Sequence, residues 1–234
     1  MKPIRLANHR ARRAAGNGSS LPSILPRAEI IYLLESYFQQ VQETLELLPT
    51  ANVARVAEEL LRARAEGKTI YVLGNGGSAA TASHAATDWL KPNRRDSLGG
   101  ITAVSLVDNV ALLTAWANDT SFDRVFAAQL ESLLQPGDVV IAVSGSGNSP
   151  NILQAVEVAR EAGAVTIGFS GFDGGALSRM TDISVVVPCD SQGMIEDAHL
   201  VLVHALTVAL RQAADVPTRD AGEEEEERVR SAAS

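Results

Sequence analysis

The sequence predicts a three-layer αβα sandwich on a mostly parallel five-stranded sheet, with a helical pair added on its N-terminal side. Three observations predict it. Short apolar runs alternate with longer stretches of helical periodicity between residues 70 and 211, the pattern of βαβ units. Those runs are continuously apolar, as expected of strands covered on both faces. Two of them end in Gly- and Ser-rich loops that open directly into a helix, GNGGS at 74–78 and SGSGNS at 144–149.

Taken in order, residues 1–27 carry six basic and no acidic side chains among Gly, Ser and Pro, and read as a disordered basic tail. From 28 to 48, Ile30, Leu33, Leu34, Tyr37, Phe38, Val41, Leu45 and Leu48 recur at helical spacing. A second helix is expected over 52–66. Strand and helix then alternate: 70–73 and 78–90, 101–106 and 109–116, 139–143 and 149–162. Strands at 165–169 and 183–187 follow, and a long helix over 195–211 closes the domain, which is expected to span 28–213. Residues 214–234, with the run Glu223–Glu227, read as a disordered acidic tail.

A chain of 234 residues suffices for one such domain with a buried core. The net charge is −8, and residues 28–217 hold eleven basic against twenty-two acidic side chains. That balance argues against nucleic-acid partners, whose phosphates demand basic surface. No run approaches the roughly eighteen apolar residues of a membrane span, so no membrane association is expected. The N-terminal segment lacks the apolar stretch of a secretory peptide. Cys189 is the only cysteine, so no disulfide forms within the chain and a cytoplasmic, reducing location is expected.

The two loops carry the chemistry. In open parallel sheets the strand-to-helix junction lies at the carboxyl edge, where ligands bind. Gly74, Gly76 and Gly77 let backbone approach a ligand, the helix start offers unpaired N–H groups to an anion, and Ser78 is expected to cap the helix or contact phosphate. Gly74-x-Gly76-x-x-Ala79 also fits the loose dinucleotide fingerprint, but the acid expected about twenty residues on appears only at Asp108. In the second loop Ser144, Ser146 and Ser149 supply hydroxyls and Gly145 and Gly147 keep the backbone open. A tight turn accounts for one such loop, not for two on one sheet. Neither contains Lys or Arg or the triphosphate motif, so a monophosphate is the expected ligand.

Two helices add ionisable groups to apolar surface. His84 and Asp88 share a helix face, and Glu196, Asp197, His199 and His204 interrupt the apolar closing helix. Two His and two carboxylates suit a zinc-like ion. Glu196 and His204 are about 12 Å apart along a helix, which ranks proton transfer above joint metal ligation. Glu196 and His199 form a competing pair.

On GNGGSAATASHAATD, DNVALLTAWANDTSFDRVFAAQL, AVSGSGNSPNI and IEDAHLVLVH, the sequence resembles the sugar isomerase (SIS) domain family, and within it the phosphoheptose isomerases, from about residue 28 to 213. The resemblance implies a ketose–aldose isomerase converting sedoheptulose 7-phosphate to a D-glycero-heptose 7-phosphate through a cis-enediol(ate). It implies a homotetramer with active sites between subunits, and zinc as a possible cofactor. By position, Asn75, Gly76, Gly77, Asp108, Ser144, Gly145, Ser146 and Ser149 would hold the substrate. His84, Asp88, Glu196 and His204 would form the catalytic and metal constellation, with His204 as acid.

Two positions depart from the family's usual pattern: Asp88 where Glu is usual, and Glu196 where Gln is usual. Asp88 is one methylene shorter, so either Asp88 or Glu196 would be the base. The rivals are a non-catalytic SIS protein of the kind associated with a replication initiator, and an isomerase of another sugar phosphate. His204 favours the enzyme over the former.

Overall fold

The computed structural model describes residues 25–91 and 101–214. The expected tails lie outside them, apart from 25–27 and 214. Five strands, β1 (Ile70–Gly74), β2 (Ala103–Ser105), β3 (Val139–Ser144), β4 (Val165–Gly171) and β5 (Ile183–Val187), form one sheet in the order β2-β1-β3-β4-β5. Every pairing is parallel.

Period-two alternation divides the core. Ile70 and Val72 of β1, Ile141 and Val143 of β3 and Phe169 of β4 face one side. There they meet α2 (Thr50–Ala65), α3 (Gly77–Leu90) and α8 (Gln192–Ala214) through Leu60, Ala85, Trp89, Leu202 and Leu206. Tyr71, Leu73, Val140 and Ala142 face the other side. Covering them are α4 (Val110–Asp119), α5 (Ala127–Leu133), α6 (Pro150–Glu161), the short α7 (Leu177–Met180) and a 3-10 turn at Phe122–Arg124. Three layers result, as the continuous apolar runs predict.

The N-terminal pair is α1 (Arg27–Glu46) and α2. α1 rests on α8, where the Tyr37 hydroxyl donates to Asp197 at 2.5 Å. That bond first, and burial second, push the phenol up to about 12. Ile30, Ile31, Leu33, Leu34 and Phe38 remain exposed on α1. α8 is long and apolar enough to cross a membrane by length and composition, but half of its apolar window is buried inside the protein, which suits a core helix.

Most elements fall where periodicity places them, with three differences. β2 is only Ala103–Ser105, because as an edge strand it pairs through three residues of β1. α5, α7 and the 3-10 turn are too short to show a period. α8 begins at Gln192, three residues before the expected start. Trp89 packs in the core with its indole N–H donating to Thr207 Oγ1 at 3.0 Å.

His199 is a core residue. It is 0% exposed, with Nε2 3.2 Å from the Ser170 carbonyl; Glu196, the competing partner three residues before it, acts on it electrostatically while the ring bond goes to Ser170. Burial pushes His199 down to about 4, partly offset by the Ser170 bond and then by the Glu196 charge. An unfolded His titrates near 6.5, so between those values the unfolded chain binds a proton that the folded one does not. Stability from this group is therefore complete above about 6.5 and is lost as pH falls toward 4, by about 3 kcal/mol at the lower end. Denaturant melts at pH 7, 5.5 and 4.5 should show His199→Gln flattening this dependence; equal slopes for both proteins would refute the assignment.

Candidate active site

The order of strands fixes where the site lies. The chain leaves β1 for β2 on one side and returns to place β3 on the other, so the connections diverge between β1 and β3. Such a switch point opens a crevice at the carboxyl edge of a parallel sheet. Gly74 pairs with Val143 in register, which sets the 74–78 and 144–149 loops side by side. Asn75 and Asn151 lock them, each side-chain amide donating to the other's carbonyl at 2.9 Å.

In the first loop Gly76 has φ 56° and stands at the N-cap of α3. The expected cap by Ser78 is corrected: Ser78 sits within the first turn, 3% exposed. It lies against Gly74, where a β-carbon would stand 2.8 Å from Ser78 Cβ. Gly76 and Gly77 are exposed and Asn75 is half-buried.

The second loop offers its hydroxyls more freely. Pro150 is at the start of α6, and the Ser149 side chain at the N-cap makes no capping bond. Ser149 Oγ is 3.4 Å from Ser144 Oγ. Ser144 is buried, Ser149 half-buried and Ser146 exposed. The N-termini of α3 and α6 thus open on the same crevice, each with the partial positive charge that suits an anion.

Beside the loops stand the ionisable groups of α3 and α8. His84 Nε2 is 2.9 Å from His204 Nε2 and 3.5 Å from Asp88 Oδ2. Donor atoms of His84, Asp88 and His204 all lie within 4.8 Å of one another. Four ligands at tetrahedral zinc distances are about 3.3 Å apart, so two imidazoles and a carboxylate this close can converge on such an ion with small shifts, with a fourth position left over. Glu196, expected in this group, is not in it. Its carboxylate lies over Gly77, where a β-carbon would overlap it, and its Oε1 accepts from Gln192 Nε2 at 2.8 Å. Asp108, exposed after β2, accepts from the Ser83 hydroxyl of α3.

Sequence reasoning missed Asn151, Ser83 and Gln192. Gln192 had a legible signal, one helical turn before Glu196. Asn151 and Ser83 had none, since each is defined by a partner distant in sequence.

Arranged this way, the crevice can hold a phosphate at hydroxyl and backbone donors and present a carboxylate and imidazoles to the rest of a small ligand. Residues 36–171 match the SIS domain. The chain is 39% identical over 175 residues to the phosphoheptose isomerase of Trichlorobacter lovleyi, covering 75% of this chain and 87% of that protein. It is 41% identical over 155 residues to the phosphoheptose isomerase of Pelobacter propionicus, covering 65% and 80%. Among solved structures it resembles a phosphoheptose isomerase from Francisella tularensis, with TM-score 0.73, 32% identity, and 79% and 97% of the two chains covered. One from Neisseria gonorrhoeae also has TM-score 0.73, at 30% identity over 80% and 100%.

Proposed function

Since the chain belongs to the SIS domain family and aligns with its phosphoheptose isomerases, we propose that it interconverts sedoheptulose 7-phosphate and a D-glycero-heptose 7-phosphate through a cis-enediol(ate). The observation that carries the reading is the pairing of the two loops at the β1/β3 switch point, opposite carboxylates and imidazoles of α3 and α8.

The phosphate is held by Ser144, Ser146 and Ser149 with the backbone at Gly145. The sugar runs toward Asn75, Gly76, Gly77 and Ser78, with Asp108 at the crevice margin. Glu196, the carboxylate outside the His–Asp–His group, removes the proton beside the carbonyl and returns it to the neighbouring carbon. His204 delivers a proton to the substrate oxygen or assists ring opening. Asp88, one methylene shorter than the Glu usual at its position, instead faces His84.

His84, Asp88 and His204 would hold a zinc ion, which when bound supplies polarisation of the substrate carbonyl. Zinc added to metal-free protein is expected to bind at about one per chain through these three ligands plus water. His84→Ala and His204→Ala should abolish it in a chelator competition, and Glu196→Gln should keep it. Loss of zinc in Glu196→Gln would return that residue to the ligand set.

The exposed apolar side chains of α1 support burial against other copies, in the homotetramer with inter-subunit sites that the resemblance implies. The single thiol, free Cys189, supports a cytoplasmic location. Purified protein incubated with sedoheptulose 7-phosphate, with and without zinc, tests the reading by NMR. Aldose formation that His204→Ala abolishes is expected. A folded protein that binds the sugar phosphate without turnover would overturn the substrate assignment.

A further inference from the structure

A side chain of α8 spans the two loops. Gln192 lays its carboxamide against the backbone of Gly145, where a β-carbon would stand 2.6 Å from Nε2 and 2.7 Å from Oε1. The same Nε2 donates to Glu196 Oε1 at 2.8 Å, one turn further on. Glu196 in turn covers Gly77. A continuous line of polar atoms therefore runs from the phosphate loop through Gln192 and Glu196 to the first loop. Gln192 is exposed and Glu196 half-buried, so the line faces the crevice rather than the core.

We propose that Gln192 is a positioning residue for the isomerisation and a substrate contact: it holds the Glu196 carboxylate over Gly77 and presents its remaining amide groups to sugar hydroxyls beside the phosphate. This rests on the isomerase reading above. A carboxamide offers two N–H donors and a carbonyl acceptor. One N–H is taken by Glu196, which leaves a donor and an acceptor, the complement of a hydroxyl that both gives and receives. A carboxylate at 192 would only accept, and would stand against both Glu196 and an incoming phosphate. Gly145 must lack a side chain for the same reason, since any β-carbon there displaces Gln192.

The test compares Gln192→Leu, which keeps bulk and removes both polar functions, with Gln192→Glu, which keeps length and reverses the hydrogen-bonding sense. With sedoheptulose 7-phosphate, Gln192→Leu is expected to raise KM about threefold to tenfold and to lower kcat by a similar factor, the loss of one hydrogen bond to a sugar hydroxyl and one to the Glu196 carboxylate. Gln192→Glu should raise KM further by charge repulsion. Thermal midpoints should stay at the wild-type value, since the side chain is exposed. A purely structural role would do the reverse, moving the midpoint and sparing the kinetics.

An active wild type with both constants within about twofold in Gln192→Leu overturns this inference and spares the isomerase reading. A wild type that does not turn over the sugar phosphate overturns the isomerase reading. Calorimetric binding of sedoheptulose 7-phosphate then decides the contact: weaker binding by Gln192→Leu supports it, and equal or absent binding by both proteins removes it.

Discussion

Glu196→Gln is expected to lower kcat by about 10²- to 10⁴-fold, the usual contribution of a positioned general base, with little change in sugar-phosphate affinity. The carboxamide has the carboxylate's shape, so packing over Gly77 survives; what is lost is the ability to take a proton. The two carboxylates divide the labour. Asp88 stands 3.5 Å from His84 Nε2, in a group with His204 whose donor atoms suit one ion. Glu196 is outside that group, over the first loop and hydrogen-bonded to Gln192. Asp88→Asn should therefore act first on zinc affinity, and recover part of its activity at high zinc. If Asp88→Asn instead loses turnover with zinc fully bound while Glu196→Gln stays active, the base is Asp88 and the assignment is reversed.

The second large effect is expected at Gly147. Its φ is 63°, a backbone region that costs a side-chain-bearing residue about 1–2 kcal/mol. A β-carbon there would also overlap the Gly174 carbonyl. The end of β4 and the segment following it are bound to this loop: Gly171 N donates to Gly145 O at 2.8 Å and Leu177 N to Gly147 O at 2.9 Å. Asn148 Oδ1 accepts from Ala176 N at 3.0 Å. Backbone meets backbone, so no flexible side chain can yield. Gly147→Val should lower stability by at least about 2 kcal/mol and raise KM by about tenfold or more, because the serine hydroxyls lose their mutual placement. Gly67→Ala is the control. Gly67 has φ 64° with nothing within 4 Å of a β-carbon, so it should show the conformational cost of about 1 kcal/mol and unchanged kinetics. Equal effects in both proteins would mean that the overlap with Gly174 does not matter.

These examples show what the sequence could reveal. Val139–Val143 and Ile70–Leu73 announce buried parallel strands because both faces of each strand are covered, and their positions agree with the expectation. The loops are legible because glycine and serine between strand and helix have few other uses. The His84, Asp88 and His204 cluster is half legible: the i, i+4 spacing on α3 puts His84 and Asp88 together, but only the packing of α3 on α8 brings His204 to 2.9 Å. Glu196 and His199 went the other way. Read on one helix they look like a pair, and Glu196 does act on His199 electrostatically, but His199 sits in the core against Phe169 while the Glu196 carboxylate lies over Gly77. Gln192 stands one helical turn before Glu196, which is legible, but its role depends on a glycine 47 residues away in sequence, which is not.

The central claim is that one phosphosugar spans both loops, with its phosphate at 144–149 and its reacting carbons beside Glu196. A crystal structure of the Glu196→Gln protein with sedoheptulose 7-phosphate tests it most directly. The account predicts the phosphate within hydrogen-bond reach of Ser144, Ser146 and Ser149, and C1 and C2 between residue 196 and His204. A phosphate seated on the Gly74–Ser78 loop, or reacting carbons turned away from α8, would contradict it.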